Sequence, residues 1–259
     1  MEFLKSSKRR SLISELVYIG LNVAFAVTLL IILLVIESPL PAFALVLLSK
    51  WRILAVRPRY WFVNILTNLV DLIVSLSIVI LIYTAGGAIG LQIVLTALYI
   101  AWLLYVKPKS KRSFVAIQAG AAVFLGVSAL MTVSYDWIAS LVVLAMWLIG
   151  YSAARHVVSS YDEPHASFYS LVWGLVFAEL GWLAYHWTFA YAIPGAGDIK
   201  LSQVALISLA ISFLAERAYT SYVRHGSIRS SDIIMPTLLS VSVIIILLTL
   251  FNMISTGVI

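Results

Sequence analysis

Asp71 and Glu179 each interrupt a long apolar run. A carboxyl group in such a place needs a polar interior, a partner or a task. At the rise of an α-helix, Asp71 lies about 16 Å into its run and Glu179 about 20 Å into its own. An Asp at the centre of a membrane-spanning helix costs roughly 2.5–3.5 kcal/mol on insertion scales, so both acids are candidates for proton or solute handling. Asn64, Thr67, Asn68, Asp71 and Ser75 recur at spacings of three and four, which sets them on one helix face. Such a stripe lines a hydrophilic pathway or forms a hydrogen-bonded seam between helices. His186 shares a face with Glu179 about 10 Å farther along, and a carboxyl and an imidazole joined by water can relay protons. If these acids are functional, Asp71→Asn and Glu179→Gln are expected to leave folding intact and abolish activity.

The remaining polar residues are poorer in chemistry. Arg155, His156, Tyr161, Asp162, Glu163 and His165 make a compact polar stretch, but their spacing matches no metal-binding pattern. No metal or other cofactor is expected. Glu216 and Arg217 are helix neighbours whose side chains diverge, so no ion pair is expected between them. No serine–histidine constellation or zinc-protease pattern is evident, and the chain has no cysteine. The reading leans away from an enzyme.

The elements that must hold these residues are membrane helices. The chain is 63% apolar and 11% charged, with a mean hydropathy of +1.05; soluble domains are roughly 25% charged. All but one of the 17 Lys and Arg residues fall in short clusters between long apolar stretches, Lys200 being the exception. Basic clusters mark the cytoplasmic side of a polytopic membrane protein. The net charge of +6 therefore points to lipid headgroups and not to nucleic acid.

A hydrocarbon core of about 30 Å takes roughly 20 helical residues to cross. On that measure the chain is a single all-α membrane domain of about nine helices, with the N-terminus cytoplasmic and the C-terminus outside. The helices fall at about 16–36, 39–56, 60–83, 89–106, 113–132, 137–155, 166–191, 201–223 and 233–254. The second is the weak one, because only Pro39 to Leu48 is cleanly apolar. It spans if it extends to Val56 while Lys50 and Arg52 snorkel to the inner headgroups; a re-entrant hairpin would put the next basic cluster on the wrong side. Tyr60 and Trp61 inside, and Tyr83, Trp137, Trp187 and Tyr191 outside, fit aromatic belts.

Small residues predict close helix packing at Ala116, Gly120, Ala122 and Gly126 in the fifth helix and at Ser208 and Ser212 in the eighth. The third and seventh helices both follow a proline-containing loop, begin with aromatics and carry the central acid. A parallel repeat of helices two to five as six to nine would explain that echo.

Three functions compete. The leading expectation is a small-solute or proton-coupled transporter of the cytoplasmic membrane, using Asp71, Glu179, Asn64, Asn68 and His186. The second is a non-catalytic subunit, assembly factor or sensor that docks a membrane-protein partner. The third is an enzyme acting on a lipid or lipid-linked substrate. Whether Asp71 and Glu179 share an internal cavity or point outward separates the first from the second.

Overall fold

The computed structural model describes residues 2–186, 190–192 and 200–254. Among the described residues nine α-helices follow one another: α1 (Glu2–Val35), α2 (Leu40–Ser49), α3 (Trp61–Thr84), α4 (Ile89–Ala101), α5 (Arg112–Val133), α6 (Ala139–Ser159), α7 (Ala166–His186), α8 (Gln203–His225) and α9 (Ser230–Ile254). Among the described residues eight apolar helical stretches are long enough to cross a membrane, as a multi-pass membrane protein requires; α2 is too short by itself. One small antiparallel ribbon, β1 (Ala190–Ala192) with β2 (Lys200–Ser202), joins α7 to α8. Residues 190 and 191, expected as the end of the seventh helix, are therefore strand, and α8 starts two residues later than expected. Trp187, the side chain of Tyr191 and the 194–198 loop lie outside the described residues.

The second apolar segment departs most from expectation. The α-helix stops at Ser49 instead of running to Val56, and Trp51–Ile53 and Pro58–Tyr60 are short 3-10 turns. Pro58 explains part of this, since it forces Arg57 into an extended conformation (φ −56°, ψ 137°). The segment nevertheless runs antiparallel along α3. At one end the Tyr83 hydroxyl donates to the carbonyl of Glu37 (3.0 Å). Lys50 meets Asp71 partway along. Near the other end the Asn64 amide donates to Ile53 O (3.4 Å) and the Trp61 indole to Leu54 O (3.1 Å) and Val56 O (2.9 Å).

Carbonyls freed where a helix ends need donors from elsewhere or from water. Trp61 supplies that service in addition to any role in an aromatic belt. Trp61→Phe keeps the ring and removes the donor, so it is expected to cost about 1 kcal/mol. Faster amide hydrogen exchange confined to 51–60 would show it; unchanged exchange there would mean that the bonds to Leu54 and Val56 contribute nothing.

Two main apolar clusters hold the bundle. The first gathers α1 to α4, with Ala122 of α5, around Leu29, Val46, Val74, Ile78, Ile82 and Tyr99; the second gathers α5 to α8 around Val123, Val127, Val142, Met146, Phe177 and Ala205. Ile73 packs against both, and a smaller third cluster joins Leu81, Ala85 and Ala129. This division differs from the one a repeat of helices two to five would give. It also sets α3 in the middle of the bundle and α7 at its margin, in unlike surroundings.

The closest helix approach is α6 with α7, outside the seams expected on α5 and α8. A Cβ on Gly150 would stand 2.4 Å from Phe177 Cγ, one on Gly174 2.8 Å from Trp147 Nε1, and one on Gly181 2.7 Å from Met146 Cγ. Of the expected small residues, Gly126 does sit tightly against Ile73 and Ile149, and Gly120 makes ordinary contact with Leu209. At the end of α8, Gly226 adopts φ +68° and returns its N–H to Tyr222 O (2.8 Å), closing the helix in the left-handed conformation that glycine accepts freely.

Candidate functional site: a two-lysine, one-carboxylate centre

Asp71 has two cationic partners. Its Oδ2 accepts from Lys50 Nζ and lies 3.0 Å from Lys107 Nζ. The side chains of Asp71 and Lys50 are only 15% and 11% exposed, and that of Lys107 is 37% exposed. Each partner arrives at the end of an interrupted helix. Lys50 caps α2, its own N–H turned back to Leu47 O and Leu48 O. Lys107 caps a π turn, Trp102–Val106, that continues α4, and its N–H reaches Trp102 O (2.9 Å).

Other residues hold these ends in place. The Gln118 amide of α5 donates to Val106 O (2.8 Å) and Lys109 O (2.9 Å), while its carbonyl oxygen faces His156 Nε2 at 2.7 Å. Tyr99 donates to Ser75 Oγ (3.0 Å), and Ser75 donates to the backbone oxygen of Asp71 (2.7 Å). The polar stripe on α3 is thus largely a bonding seam. Asn64 reaches the 51–56 segment, Ser75 serves Tyr99, and Asn68 and Thr67 bond to Asn64 O within their own helix.

With Asp71 ionised and both lysines protonated, the centre carries one net positive charge. Each ammonium offers three donors, and Asp71 engages one from each. Beside them a cleft of about 230 Å³ is lined by Leu21, Asn22, Phe25, Ser49, Lys50, Leu103 and Lys107. Among the described residues Asp71 Oδ1 is buried without a hydrogen-bond partner, so the centre offers one unused acceptor beside its spare ammonium donors, and those donors are groups that can hold an anion.

Glu179 is not part of this centre. It lies exposed on α7 and makes no hydrogen bond or ion pair with any described residue. His186 is exposed too, its ring against Trp182 (4.7 Å) and Tyr185 (5.4 Å). Of the five residues singled out as a pathway, the structure brings Asn64, Asn68 and Asp71 onto one helix and leaves Glu179 and His186 on an outer face.

The polar loop before α7 ties helices together. Arg155 donates to Ser167 Oγ (2.9 Å), Tyr161 pairs with Thr220 (2.8 Å), and Tyr219 donates to Glu163 (2.9 Å). Among the described residues no three His, Asp or Glu side chains converge as a metal site would need. Glu216 and Arg217 do form an ion pair (3.3 Å), contrary to expectation: Arg217 Nε reaches the largely buried Glu216 carboxylate, which also accepts from Thr220 (3.0 Å). Ser221, His225 and Asp232 also meet, at the α8–α9 turn. Ser221 donates to Asp232 (2.7 Å) and accepts from Arg229 N–H (3.1 Å), so its hydroxyl closes a turn instead of facing a base.

No family model, no curated protein and no solved structure matches the chain.

Proposed function

We propose that this chain is a multi-pass protein of the cytoplasmic membrane that binds a small anion at Lys50 and Lys107 and carries it across. One observation supports the reading above the others: two interrupted helices each end in a lysine, and both lysines converge on Asp71 beside a cleft. Transporters commonly place broken helices at their binding sites, and π turns gather at functional positions. In this reading Asp71 is the resident counter-ion. The lysines keep donors that Asp71 does not use, so an arriving monoanion binds beside it and brings the net charge of the site from +1 to zero. The basic ends of the helices face the cytoplasm, and the short α2 with its 3-10 continuation completes a crossing. A lipid-directed enzyme has weaker support, since the polar clusters near the helix ends bond to one another.

The test uses protein in nanodiscs of neutral lipid, with inorganic phosphate or acetate as the probe and the unfolding midpoint as the readout. A bound ligand at 100 times its Kd stabilises by about 2.7 kcal/mol. One of the two anions is expected to raise the midpoint of the wild type, and Lys107→Gln to weaken that response about tenfold. A response that Lys107→Gln retains in full removes the site. Stabilisation only by anionic lipid in the nanodisc would replace solute transport with headgroup binding.

A further inference from the structure

The margin of the bundle carries a second site of different chemistry. α7 is attached chiefly through α6, with Ser170, Gly174, Phe177, Gly181 and Ala184 turned inward. Its opposite face presents Leu171, Val172, Leu175, Glu179, Trp182 and Leu183, all exposed, with Leu175 at 59%. Glu179 stands near the middle of this apolar face, and the described part of the chain gives it no partner. Acidic side chains inside membrane helices turn to a bundle interior or pair with another group. A carboxylate left against lipid would contradict that rule, so the face is incomplete in the isolated chain.

Charge decides what completes it. Pairing α7 with α7 of a second copy would bring Glu179 against Glu179, a like-charge contact. Apolar flanks above and below the acid fit another transmembrane helix, and the carboxylate fits a Lys or Arg at its depth. We propose that the outer face of α7 docks a membrane-spanning helix of another protein, one that carries a basic residue near its middle and pairs it with Glu179. The interaction is independent of the anion centre.

The absence of cysteine allows one introduced thiol, Ser230→Cys at the exposed start of α9, to carry a fluorophore uniquely. The probes are two synthetic Leu/Ala transmembrane peptides that differ only in a central Lys or Leu. Energy transfer to the labelled chain in neutral proteoliposomes reports association. The Lys peptide is expected to bind at least tenfold more tightly than the Leu peptide, with the preference abolished by Glu179→Leu. Because Glu179 is exposed, that variant should keep the wild-type unfolding midpoint. Equal binding of the two peptides, or a Lys preference that survives Glu179→Leu, would overturn the proposal. So would disulfide-linked dimers formed through Leu175→Cys in membranes, which would assign the face to a second copy of this chain.

Discussion

Asp71→Asn is expected to lower the stability of the purified protein by about 3–5 kcal/mol, because removing one member of a buried ion pair strands the other. Here two ammonium groups would be left facing each other, Lys50 almost wholly out of solvent. Adding Lys50→Met to Asp71→Asn removes the stranded charge and should restore more than half of the loss. Reversible unfolding in mixed micelles, followed by tryptophan fluorescence, measures both variants. An Asp71→Asn protein as stable as the wild type would mean that the three groups are solvated. This outcome differs from what the sequence suggests, where the amide was expected to fold normally. The difference comes from the partners: an isolated carboxyl can be replaced by its amide cheaply, whereas a shared counter-ion cannot.

Gly150→Leu is expected to loosen α7 from α6 at a cost near 3 kcal/mol, the upper end for overpacking. Phe177 is fully buried, and its Cγ stands 2.4 Å from where the first added carbon would go. Alanine at Gly150 gains about 1 kcal/mol of helix propensity and meets the same clash, so its effect should be smaller in size but still destabilising. Truncating the obstacle, in Gly150→Leu with Phe177→Ala, is expected to recover part of the loss. The unfolding midpoint of the single and double variants settles it, and a Gly150→Leu protein with the wild-type midpoint would show that α6 and α7 do not pack through this glycine.

How far the sequence reveals this arrangement depends on the kind of interaction. The long helices are legible because hydropathy accumulates over twenty residues, and Leu12–Val35, Pro58–Thr84 and the others stand out by that sum. Asp71 is conspicuous as a lone charge on α3. Lys50 is not, because it belongs to a cluster whose ordinary task is topological, and its role depends on where α2 stops. That stop has no strong local signal before Pro58. Gln118 is one glutamine in an amphiphilic start to α5, and nothing near it marks the carbonyls it holds. Glu179 is easy to notice, but α7 is apolar on every side, so periodicity does not say which way the acid points. Its direction follows from Gly150, Gly174 and Gly181, each of which receives a side chain of the facing helix (Phe177, Trp147 and Met146), and that matching is a tertiary fact.

The π turn at Trp102–Val106 makes the charge of the cleft a matter of phase. A π turn holds one residue more than an α turn, and one residue corresponds to about 100° around a helix axis. Wound as α-helix throughout, the segment from Ile89 would deliver Lys107 to a different azimuth, and the pairing with Asp71 would be lost. The additional residue thus works as an angular offset. Without that offset only Lys50 would face Asp71, the centre would be electrically neutral, and the bonds from Gln118 to Val106 O and Lys109 O could not form as they do.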